Sequence, residues 1–161
     1  MLRHDILKGI LRRAIYQAGI ASSLEPTLRR LLGLEAGARS GATGSAAGLE
    51  ARGDILMALE AGLAIVGVSG THPPGVANWA AAARTDGAAA DGRDREKRRA
   101  YSRLESNGYP FTPFSVESYG RLGKPAMDLL SKLGEEAESA GRQCSKAQFV
   151  SWTLRELSGG R

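Results

Sequence analysis

Apolar residues recur at helical spacing in the stretch HDILKGILRRAIYQAG. Ile6, Leu7, Ile10, Leu11, Ala14, Ile15 and Ala18 fall on one stripe, and Lys8, Arg12 and Arg13 fall mostly opposite. The spacing predicts a helix from about Asp5 to Ala18, with Asp5 as its cap and Gly19 as its stop. IASSLEPTLRRLL begins as a short strand that Pro26 ends. In GDILMAL the pattern changes to alternation: Ile55, Met57 and Leu59 face one way, Asp54, Leu56 and Ala58 the other. EAG forms a turn, and LAIVGVSG alternates again, with Leu63, Ile65, Gly67 and Ser69 on one side. THPPG ends that strand, because a proline cannot donate to a sheet ladder.

The alanine-rich and then basic stretch from Val76 to Ser106 reads as helix, loosened near Gly87 and Gly92. A short strand is predicted around Phe114 to Glu117. KPAMDLLSKLGEEAESAG is helical with Pro125 in its first turn. SKAQFVSWTLREL is helical too: Ser145 and Gln148 have capping-box spacing, and Phe149, Val150, Thr153, Leu154 and Leu157 form its apolar stripe. Residues 37–48, GARSGATGSAAG, are low in complexity and read as a flexible loop. The order αβββαβ followed by two helices predicts a mixed α/β (α+β) domain on one small central sheet flanked by helices.

At 161 residues and 42% hydrophobic, the chain is sized for one domain with a real core. Lys and Arg exceed Asp and Glu by 22 to 17, a formal charge of +5 that suits a polyanionic partner. A single cysteine, Cys144, excludes an internal disulfide and a cysteine-rich zinc site. No apolar run approaches the roughly 20 residues that span a bilayer. The basic, amphipathic start contains Asp5 and lacks a small-residue cleavage site, so it is not read as a secretory signal. The expected location is nuclear or cytoplasmic. That also sets aside Arg52-Gly53-Asp54 as an adhesion signal.

Asp54, at the head of a strand beside a turn, is the residue that points to chemistry. Metal-assisted phosphodiester hydrolysis commonly uses an aspartate on one strand and an acid on the next. A lysine two residues beyond that acid shares its face, because strand side chains have a period of two. Here Gly67 and Ser69 stand at the acid and lysine positions. Lys97, one helical turn before Tyr101, is a candidate displaced lysine, and Glu25 and Glu117 are candidate substitute ligands. His4 and His72 read as capping or packing residues, and Trp79 and Trp152 as core anchors. In RDREKRRAYSR, the residues Arg95, Arg99 and Arg103 share a stripe that could contact phosphates.

Several motifs in order carry a resemblance: RHD at Arg3–Asp5, EP at Glu25–Pro26, RGDI at Arg52–Ile55, IVGVSGTHPP at Ile65–Pro74, REKRRAY at Arg95–Tyr101 and FTPFSVESYGRLG at Phe111–Gly123. Together they resemble the restriction-like endonuclease domain, of the PD-(D/E)XK superfamily, at the C-terminal end of non-LTR retrotransposon proteins. The resemblance implies a PD-(D/E)XK-like core in a detached tail of a larger element, and a DNA endonuclease hydrolysing phosphodiesters with magnesium. Asp54 would hold the metal, Lys97 would assist the water, and Arg52, Arg95, Arg99 and Arg103 would grip DNA. Gly67, in place of the second acid, implies impaired cleavage. The alternatives are a non-catalytic nucleic-acid-binding module and an unselected retroelement relic.

Overall fold

A computed structural model describes residues 2–26, 31, 53–71, 88–118 and 120–159. Its elements run α1 (Leu2–Gln17), β1 (Ser22–Leu24), β2 (Ile55–Leu59), β3 (Gly62–Thr71), α2 (Ala88–Ala100), α3 (Ser102–Ser106), β4 (Phe111–Glu117), α4 (Lys124–Ser139) and α5 (Lys146–Leu157). The strands form one sheet in the order β1-β2-β3-β4. β1 and β2 pair antiparallel, as do β2 and β3, while β4 lies parallel to β3. The mixed α/β architecture and the αβββαβ order expected from the pattern are both present.

The stripe on α1 buries Leu7, Ile10, Leu11, Ala14, Ile15 and Ala18. They pack with Ala64, Val66 and Val68 of β3, Phe114 and Val116 of β4, and the apolar sides of α4 and α5. Ile6 was expected on that stripe but is 54% exposed: it lies at the stripe's margin, facing away from the sheet. The helix also starts a turn before Asp5, so Asp5 sits in its first turn, not at its cap. Its end is as expected. Gly19 has φ +81°, and the amides of Gly19 and Ile20 donate to the carbonyls of Tyr16 and Ile15, the paired bonds of a Schellman stop.

On the opposite face of the sheet, Ile65, Leu104 and Phe111 form a smaller core with Leu56, Tyr101 and Tyr109 packed against it. β3 is therefore covered on both sides, and only a near-continuous apolar run survives there. Two expectations change on this face. The basic helix is not broken at Gly92, which lies inside α2. It breaks at Tyr101, where the chain turns to stack the tyrosine ring on Phe111, with centroids 4.4 Å apart. β4 also begins three residues earlier than expected and contains Pro113. It is an edge strand pairing only β3 among the described strands, the setting in which a proline is tolerated.

The capping box on α5 is formed on both sides: Gln148 N–H donates to Ser145 Oγ, and Ser145 N–H donates to Gln148 Oε1. Trp152 is not the core anchor expected of it. It is 37% exposed, because Phe149, Thr153 and Leu157 supply the buried side of α5. The expected loop at 37–48, Trp79, His72 and Arg52 lie outside the described residues.

Candidate functional site

β2 and β3 pair Ile55 with Val66, so the preceding residue, Asp54, stands opposite Gly67. The backbone fixes it there. Asp54 N–H donates to Val66 O at 3.1 Å, and Asp54 O accepts from Glu25 N–H at 3.0 Å. The carboxylate turns onto β3, where Oδ2 accepts the Val68 amide at 2.6 Å.

Lys97 enters from α2. Its Nζ lies 3.6 Å from Asp54 Oδ2, donates to Val68 O at 3.2 Å, and sits 5.8 Å from the centre of the Tyr101 ring. Both charged side chains are mostly covered, at 14% and 16% exposure. Burial lowers the Lys97 pKa from its ordinary value, and Asp54 opposes that shift. Burial raises the pKa of Tyr101, to which Asp54 adds. Asp54 and Lys97 thus lie together beside residue 67. The helix supplies the cation that β3 lacks.

His4 also belongs to this cluster and was missed as a site residue. Its Nε2 lies 3.1 Å from Asp54 Oδ1, and its Nδ1 lies 3.5 Å from Asp5 Oδ1. Its position in the motif Arg3-His4-Asp5 was the available signal. Lys8 extends the chain of charges, 3.7 Å from Asp5 and 2.9 Å from Glu25. The Glu25 hydrogen bond raises the Lys8 pKa. Six polar groups, three nitrogen-bearing and three carboxylate, therefore tie α1 to the end of β1, the start of β2, and α2.

The two substitute acids are committed elsewhere. The Glu25 carboxylate engages Lys8. Glu117 is buried and accepts from Ala90 N–H in the first turn of α2 at 3.3 Å. It pairs with Thr71, four residues along β3 from Gly67 and so about 13 Å away. Ser69, at the lysine position, bonds Ser115 at 2.9 Å.

Gly67 is more than a missing acid. A Cβ built there falls 2.7 Å from Phe111 Cζ, 2.9 Å from Cε2 and 3.5 Å from Lys97 Cδ. The phenyl ring fills the space a carboxylate would need. A magnesium ion asks for one or two free carboxylates with open positions around them. Asp54 has Oδ1 on an imidazole and Oδ2 on an amide and an ammonium. Among the described residues, that donor set does not fit a resident metal. What the arrangement offers is a carboxylate that orients two nitrogen groups of the protein, His4 and Lys97, at the mouth of a strand fork.

Arg95 and Arg99 on α2 and Arg103 on α3 are all exposed. The break at Tyr101 means that Arg103 does not continue the stripe on one helix. Neighbouring charges are already paired: Arg93 with Glu96, and Arg98 with Glu105. No model of a known protein family matches the chain, and a search of curated proteins finds no match. Among the described residues, no helix is long and apolar enough to cross a membrane.

Proposed function

We propose that this chain is a nuclease-like domain that binds the nucleic-acid backbone and has lost the metal site needed for efficient cleavage. The observation that carries this reading is the meeting of Asp54 and Lys97 at 3.6 Å beside a Gly67 whose side-chain space is filled by Phe111. A PD-(D/E)XK-like origin, as in the endonuclease domain of non-LTR retrotransposon proteins, accounts for the paired aspartate and lysine, for the αβββαβ order and for the gap where a second acid would stand. The exposed arginines on α2 and α3 and the net charge of +5 suit a phosphate backbone. Backbone contacts of this kind hold DNA without reading its sequence.

The test combines a duplex-binding titration with a plasmid-nicking assay, each with and without magnesium. The domain is expected to bind duplex at low salt without magnesium and to leave the plasmid intact with it. Arg95→Ala removes one phosphate contact of the proposed surface, which is worth roughly eightfold in affinity at 0.1 M salt. Asp54→Asn removes the carboxylate that Lys97 and His4 share, so duplex binding is retained or tightened. Magnesium-dependent nicking abolished by Asp54→Asn would establish an active nuclease instead. Absence of duplex binding at low salt would leave the reading without support.

A further inference from the structure

α2 presents Arg95 and Arg99 and delivers Lys97 to Asp54, yet little apolar surface holds it in place. It contains no apolar residue larger than alanine, and its buried residues are Ala89, Ala90 and Asp94. Methyl groups bury little area, so the seat of this helix leans on polar contacts. Near its start, Ala90 N–H donates to Glu117 Oε1 of β4 at 3.3 Å, and near its end Lys97 Nζ donates to Val68 O of β3 at 3.2 Å. Asp94 stands between them, one helical turn from each.

Asp94 is enclosed where α2, β4 and α4 meet. Its carboxyl abuts Gly123, the N-cap of α4, so closely that a Cβ at 123 would collide with Oδ2. Ser115 of β4 lies beside it and shares a hydrogen bond of 2.9 Å with Ser69 of β3. Asp94 is 5% exposed, and among the described residues neither oxygen has a hydrogen-bond partner. The charged groups around it are turned elsewhere. On α2, Asp91 and Arg98 flank it one turn away and are exposed, and the Arg98 guanidinium engages Glu105 at 3.4 Å. On β4, Glu117 accepts the Ala90 amide, and on α4, Lys124 engages Asp128 at 2.8 Å.

We infer that Asp94 is a proton-operated latch on α2: neutral, it fits the closed junction, and ionised, it leaves an unpaired charge there and releases the helix. The Ser69–Ser115 pair suits both states, because either serine can be its donor, so Ser115 can accept from a neutral carboxyl or donate to an ionised one. The latch regulates the arginine surface, and that consequence rests on the nucleic-acid reading above. Burial raises the pKa of Asp94, and the Ser115 hydroxyl opposes that shift. The docked helix therefore holds the proton more tightly than the released one. Release is least favoured below pH 3.8, grows about tenfold per pH unit above it, and levels off above the pKa of the docked state.

Amide hydrogen exchange, read residue by residue against Asp94→Asn at each pH, tests the latch. Every other titrating group, His4 included, is common to both chains and cancels. Amides of α2 are expected to exchange ahead of those of β3 and α1, and their excess over the variant should climb with pH and then level off. Ser115→Ala keeps the carboxyl and removes the hydroxyl that favours its charged form, so the levelling should move to higher pH; this arm stands even if Asp94→Asn folds poorly. An α2 that exchanges only together with β3, or equally in native chain and variant at every pH, overturns the latch. Duplex affinity at fixed salt should fall about twofold or more relative to Asp94→Asn between about pH 5 and pH 8, as expected if α2 is released in about half of the molecules. A constant affinity ratio in chains that bind duplex overturns the regulation. Duplex binding by neither chain, with the exchange profile present, overturns the nucleic-acid reading and leaves the latch standing.

Discussion

Gly67 shows how one residue decides what its neighbours can do. From the pattern alone, replacing it with aspartate should rebuild a metal site. In the folded chain the new Cβ meets the Phe111 ring, which is itself stacked on Tyr101 and 3% exposed. Gly67→Asp is therefore expected to lower stability by about 1–3 kcal/mol through overpacking, before the cost of burying a charge is added. Magnesium affinity, measured by calorimetry, should not rise in the single variant. Trimming the ring as well, in Gly67→Asp with Phe111→Ala, opens the space and is the combination in which magnesium binding should be sought. A rise in the single variant would show that the ring yields easily.

Asp94 offers a second test at this scale. It lies on the inner side of α2, 5% exposed, and among the described residues neither carboxyl oxygen has a hydrogen-bond partner. Burial raises its pKa, the nearby Ser115 hydroxyl lowers it, Asp91 raises it further and Arg98 lowers it. A carboxyl whose folded pKa lies above its unfolded value holds more protons folded than unfolded. Its contribution to stability is then full below pH 3.8 and falls as pH rises toward the folded pKa. Asp94→Asn keeps the shape and removes the titration. Melting curves from pH 4 upward should show the native chain losing stability relative to the variant, and parallel curves would mean that the carboxyl ionises without penalty.

At the scale of elements, caps and stops are the most local features and the easiest to test. Ser145→Ala removes one half of the α5 capping box and should cost about 1 kcal/mol in a denaturant titration. These features were also the most legible. The α5 box, the Gly19 stop, Pro125 in the first turn of α4 and the strand pair β2 and β3 all depend on a few adjacent residues, and all are present. What the pattern misplaced depends on partners far along the chain. α2 passes through Gly92 and breaks at Tyr101 because Phe111 waits there. Pro113 is tolerated because β4 is an edge, and Trp152 is left outside because Phe149 and Thr153 take the inner side. The site divides in the same way. Asp54 was nameable from strand period and Lys97 from the resemblance, whereas the contact of His4 with Asp54 needed the crossing of α1 over the head of β2, which no spacing within either segment encodes.

For the whole molecule, the distribution of charge sets how it meets a polyanion. The acids of the site face Lys8, Lys97 and the His4 ring within it, so the surplus of positive charge is carried outside. Arg95 and Arg99 present it from α2, and Arg103 from α3 beyond the break. Each phosphate contact removes about 0.9 from the slope of log affinity against log salt. If α2 alone faces the duplex, Arg95→Ala and Arg99→Ala together should flatten that slope by about 1.8, while Arg103→Ala leaves it unchanged. If the two helices act as the single stripe seen in the sequence, the triple replacement should flatten it by about 2.7. Affinities measured across a salt series, with melting as the control for folding, separate the two. The same series on Lys97→Ala shows whether the half-buried lysine reaches phosphate or serves only to hold Asp54. A slope unchanged from the native chain assigns it the second role.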